Sequence, residues 1–163
     1  IKNQKPYSFK RLLNRRAGVF GCTAALSSSM LNAFPPIPKD IINEDRIFSF
    51  RALLKRGVVY LHEPLIDYRV GVGISARIEE NYIDYMVREA ERELLDLQVN
   101  KSDALQESRH KLVMAIDKRI KLMTWVASLD AVPTVKNSWR VLANGVPISG
   151  YFKFIKRIRK RAG

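Results

Sequence analysis

The stretch that decides the reading is GCTAALSSSMLNAFPPIPKDIINEDRIFSFRALLKRGVVYLHEPLIDYRVGVGIS, residues 21–75. At its centre stands Asn43-Glu44-Asp45. A helical pattern follows from Arg46 to Arg56, with Ile47, Phe50, Leu53 and Leu54 on one face. Asn43 reads as the N-cap, and carboxylates in the first turn complement the positive end of a helix. Lys55, Arg56 and Gly57 suit the opposite end. Upstream, Ser27 can cap a short helix that runs to about Phe34, where Pro35, Pro36 and Pro38 stop it. Downstream, Val58 to Leu61 reads as a strand, His62-Glu63-Pro64 as a break, and Leu65 to Val70 as a second strand. Residues 17–25 are small and apolar, which suits a buried strand with close backbone neighbours.

Taken together, the elements from residue 17 to 75 resemble the second half of a family 2, GT-A-type glycosyltransferase. The residues that carry the resemblance are Gly21-Cys22-Thr23, the proline loop, Glu44-Asp45 with its helix, and Tyr68-Arg69. The resemblance implies an α/β, partial GT-A (Rossmann-like) half-domain over 1–75. An all-α extension over 76–163 would follow, so that the whole is helix-dominated. Inverting sugar transfer is a direct displacement at the anomeric carbon, and a base must take the proton of the attacking hydroxyl. The resemblance places that base at Asp45, with Glu44 orienting the acceptor. Gly21, Cys22 and Thr23 would let the backbone pass close to donor and acceptor. Arg69, beside Tyr68, would steady the donor diphosphate with its forked donors. Each assignment has a plainer counterpart. The two acids can simply stabilise a helix start, Cys22 can be a small buried hydrophobe, and Arg69 can form a surface ion pair.

Two departures stand out. Many relatives place a histidine two residues after the arginine, where this chain has Gly71. No Asp-x-Asp occurs in the chain. That motif and the base pocket belong to the donor half, which would precede this segment in a longer protein. The intact enzyme is expected to use a nucleotide-diphosphate sugar and a divalent metal, Mg or Mn, with ligands mostly outside this chain. The segment alone is expected to be inactive.

Beyond residue 75 the pattern is helical only. One helix is expected over 77–97, with Tyr82, Tyr85, Met86 and Ala90 sharing a face. Asn100 to Ser102 reads as a break. A second helix is expected over 103–128, with Leu112, Ala115, Ile116, Ile120 and Met123 inward. Pro133 ends that region, and short helices are expected over 135–143 and 151–161. In the last, Tyr151, Phe154, Ile155 and Ile158 fall at helical spacing among lysines and arginines. That pattern suits a helix lying on an anionic membrane, and equally one docked on its own core.

The net charge is +13 over 163 residues. It resides at the two ends: 1–39 holds seven Lys and Arg with no acid, and 131–163 holds eight with none. Such ends attract polyanions. One cysteine excludes an internal disulfide, and two distant histidines give no zinc spacing. No apolar run is long enough to span a bilayer. A cytoplasmic protein, peripheral at the inner face of the plasma membrane, is the corresponding expectation. The expected function is sugar transfer to a saccharide or lipid-linked acceptor in polysaccharide or glycoconjugate synthesis, with no nucleic-acid partner. The competing reading is a non-enzymatic basic helical module that binds membrane or nucleic acid. Adjacent strands around residues 21–68, with Asp45 in a cleft, would favour the first; a helical course there would favour the second.

Overall fold

The computed structural model describes residues 7–15, 17–18, 23–55, 57–59, 67 and 82–129. Among the described residues five helices follow in order: α1 (Phe9–Leu13), α2 (Ser28–Leu31), α3 (Glu44–Leu54), α4 (Tyr82–Gln106) and α5 (His110–Ala127). Local signals start the first two. Ser8 accepts from the Arg11 N–H at 3.3 Å, and Ser27 accepts from the Met30 N–H at 3.3 Å. Each cap satisfies a donor that the first helical turn leaves unpaired. The three prolines then follow α2 as expected.

α3 begins at Glu44 with Asn43 at the cap position, although the Asn43 side chain makes no capping hydrogen bond. Its far end closes as the glycine suggests: the Gly57 N–H reaches back to the Ala52 carbonyl at 2.9 Å. This long hydrogen bond takes up a carbonyl that the helix would otherwise leave open.

The expected α/β half-domain is not what the structure contains. Among the described residues there is no strand and no sheet. Thr23 lies in a tight 3-10 turn, Ala24 and Ala25 are exposed, and Val59 is 85% exposed. A strand is completed by a neighbour's N–H and C=O groups, and small apolar residues gain little without that neighbour. The expected strand at 65–70, apart from Asp67, lies outside the described residues, as do the expected helices at 135–143 and 151–161.

The helix boundaries beyond residue 75 also differ. α4 runs unbroken through Asn100-Lys101-Ser102, and the turn falls at Glu107–Arg109, where Ser108 adopts φ 54°. The reason lies on the polar face of α4. Glu89, Glu93, Asp96, Asn100, Asp103 and Glu107 recur at intervals of four and three residues. That spacing lines them along one side of a helix. Arg46 meets Asp96 at 3.4 Å, Arg51 meets Asp103 at 2.7 Å, and Lys55 meets Glu107 at 2.8 Å. Partner numbers rise together, so α3 runs parallel to α4. The acids on either side of the expected break, Asp96, Asp103 and Glu107, fasten the helix to α3, and Lys101 within it pairs with Asp117 of α5 at 2.7 Å.

The apolar face of α4 carries Met86, Ala90, Leu97 and Ala104. These join Ile116, Leu122, Met123 and Val126 of α5 in one core. The same core includes Leu12, Phe34, Phe50 and Leu54, so it extends across residue 75. Phe9 packs edge-on against Phe50 with ring centroids 5.3 Å apart. Two positions depart from the expected inner faces: Tyr85 is 43% exposed and Ala115 is exposed.

Asp96 gives this polar face a pH dependence. Burial raises its carboxyl to about 6 from an ordinary 3.8, against the lowering influence of Arg46 and Arg15 and with a further push from Glu93. Between about pH 4 and 6 the folded chain therefore holds a proton that the unfolded chain releases. Stability from this group falls as pH rises through that window, by about 1.4 kcal/mol per unit within it. Urea denaturation at pH 5 and pH 7 should show a gain on acidification that Asp96→Asn lacks. Glu89 has the opposite sign. Burial raises its pKa, but hydrogen bonds from Arg15 and Arg92 outweigh burial and hold it below its usual value. Its contribution is present above pH 4.5, the ordinary carboxyl value, and is lost as pH falls from there, at the acid end of the Asp96 window.

Candidate functional site

The candidate carboxylate is the second residue of α3. Asp45 is half-buried and Glu44 is exposed. Neither side chain forms an ion pair or hydrogen bond among the described residues. Most acids of the α4 face differ in this respect: Glu89, Glu93, Asp96, Asp103 and Glu107 are each engaged by Arg or Lys. Among the described residues the Asp45 carboxylate is thus unclaimed, while its backbone is held in place. Its carbonyl accepts from Ser49 Oγ at 2.7 Å, and the next turn of α3 is anchored by Ile47 and Phe50, both fully buried.

Two residues that spacing alone did not point to lie near this helix start. Tyr7 is held above the usual phenol range, chiefly by burial. A hydrogen bond with the Gly18 backbone and the charge of Arg11 oppose that shift, and the Asp45 carboxylate adds to it. Tyr7, Arg11, Gly18 and Asp45 therefore form one neighbourhood assembled from three segments. No sequence signal joins them, because they meet only through the packing of α1 on α3. Among the described residues nothing stands within 4 Å of where a Gly18 Cβ would be.

Of the other expected site residues, Thr23 is described and exposed. Gly21, Cys22, Tyr68 and Arg69 lie outside the described residues. Two clefts lie on other faces. One, between α1 and α5, is lined by Phe9, Leu13 and Leu112; the other, beside α2, by Ser27, Met30 and Ala52. Neither includes Asp45. Among the described residues no group of three His, Cys, Asp or Glu side chains is placed to hold a metal ion. No described helix is long and apolar enough to cross a membrane.

Comparison of the chain with protein-family models, with curated proteins and with solved structures gave no match in any of the three.

Proposed function

We propose that this chain supplies the acceptor side of an inverting sugar transferase, with Asp45 as the base for the acceptor hydroxyl. The observation that carries the reading is the half-exposed Asp45 carboxylate, without an ion-pair partner among the described residues, at the head of a helix anchored by buried Ile47 and Phe50. A base needs a lone pair that no arginine has claimed, and a fixed position from which to use it. Glu44, exposed beside it, suits contact with acceptor hydroxyls. The sequence resemblance around residues 17–75 supports the same role for Asp45, but the strands and cleft it also implied do not form among the described residues, and Tyr68 and Arg69 lie outside them. The donor would be a nucleotide-diphosphate sugar, with its divalent metal held mostly by residues outside this chain. The basic amphipathic pattern of 151–161 supports a lipid-linked acceptor at an anionic membrane.

The non-enzymatic reading, a basic helical module, gains from one observation: the described residues are helical throughout their regular structure. The two readings part in a transfer assay on the full-length protein that contains this chain, with labelled nucleotide sugars and a membrane extract as acceptor. Transfer that Asp45→Asn abolishes is the result expected. No transfer with any donor, or equal transfer by the variant, would reject the assignment of Asp45.

A further inference from the structure

Glu89, Glu93, Asp96 and Asp103 of α4 are engaged by arginines, and another face of the molecule is left unbalanced. The exposed residues of α5 are His110, Lys111, Met114, Ala115, Lys118, Lys121 and Thr124, with no acid among them. Asp117, the acid of this helix, is tied to Lys101 at 2.7 Å. Beside this face, between α1 and α5, runs an open groove of about 530 Å³. Its floor is apolar, made by Phe9, Leu13, Leu112, Ala115 and Leu122. Its rim is cationic, made by Lys10, Lys111 and Lys118, and no acid among the described residues lines it. Arg119 at the inner edge is committed to Glu93, whereas the three lysines are exposed and have no ion-pair partner among the described residues.

We propose that this groove is a docking site for an anionic phospholipid at a membrane surface. The lysine rim would hold the headgroup phosphate, and the floor would take the first part of an acyl chain. The chemistry of the lining selects this occupant. Cations with no neutralising acid ask for an anion. An aliphatic floor directly below them asks for an apolar segment joined to that anion. A single-stranded nucleic acid would seek stacking surfaces, and the one aromatic ring among the groove's lining residues, Phe9, is packed against Phe50; a duplex offers phosphate but no apolar segment for the floor. The inference does not depend on sugar transfer, since binding is read directly.

The test is flotation of the full chain with phosphatidylcholine vesicles, with and without phosphatidylglycerol. Each lysine near an anionic surface is worth about fivefold in binding at low salt. The variant Lys10→Gln/Lys111→Gln/Lys118→Gln should therefore bind phosphatidylglycerol vesicles about 10²-fold more weakly. Its circular dichroism should be unchanged, because all three side chains are exposed. Ala115→Glu, which puts a charge on the apolar floor, should weaken binding about tenfold with the rim intact. Unaltered binding by the triple variant would overturn the proposal and move the contact to another basic segment such as 151–161. Weakening by the triple variant but not by Ala115→Glu would also overturn it, since no chain would then be seated in the groove. Equal binding to both vesicle types, or displacement of the chain by single-stranded RNA that Ala115→Glu does not affect, would do the same.

Discussion

Replacing Arg51 with methionine is expected to lower the unfolding free energy by about 3 to 5 kcal/mol. Arg51 and Asp103 are 3% and 2% exposed, and they meet through two hydrogen bonds, Nε to Oδ2 at 2.7 Å and Nη2 to Oδ1 at 3.3 Å. Methionine fills much of the same space but supplies no donor. It leaves the Asp103 carboxylate buried with its charge uncompensated, and that is where the loss arises. The guanidinium also lies 5.1 Å from the centre of the Phe34 ring, a smaller attraction lost in the same step. Adding Asp103→Leu to the first change should recover most of the loss, because an apolar pair of similar volume needs no partner. Denaturant titration of the two single variants and the double variant checks this. A double variant no more stable than Arg51→Met would mean that the pair matters through shape rather than charge.

Asp45→Asn in the full-length protein is expected to cut turnover by about 10²-fold or more, with donor affinity little changed. Asparagine keeps the size of the side chain and can still accept a hydrogen bond, but it cannot take a proton from the acceptor. The same change weakens the favourable charge at the start of α3, which costs about 0.3 to 1 kcal/mol of stability. A loss that small cannot lower turnover a hundredfold under conditions where the chain stays folded. Thermal melting beside the rate measurement therefore separates the two roles. Near-normal turnover with a lowered melting temperature would leave Asp45 as a helix-end charge only. Glu44→Gln should affect acceptor KM more than turnover, as an orienting group would.

What could be read along the chain was what the chain encodes locally. α3 is bounded by its own residues, with acids in its first turn, Ile47 and Phe50 at helical spacing, and Gly57 beyond its end. α1 and α2 carry their own serine caps. The course of α4 was not legible, because apolar periodicity was the signal and its fastening face is charged. Asn100 and Ser102 favour a turn when only neighbours are considered, and Asp103 holds the helix through a residue 52 positions away. The strand expectations depended on pairing partners, and exposed Val59 shows how little a β-branched run fixes by itself. The candidate site divides in the same way. Asp45 was visible as the head of a helix, whereas Tyr7 and Arg11 enter only through packing between helices far apart in sequence.

The parallel course of α3 along α4 sets an order of events in folding. The bridges Arg46–Asp96, Arg51–Asp103 and Lys55–Glu107 join residues 50 to 52 apart, whereas α4 and α5 are joined by a tight turn. Closing a long loop costs more chain entropy than closing a short one, so the α4–α5 hairpin gains its contacts first and α3 docks onto it afterwards. Opening retraces that order, and backbone amides of α3 should exchange with deuterium sooner than those in the middle of α4. The segment that carries Asp45 is then the last to dock, although firmly seated once it has, and anything that binds across Asp45 and Tyr7 would slow its exchange while leaving the hairpin's unchanged.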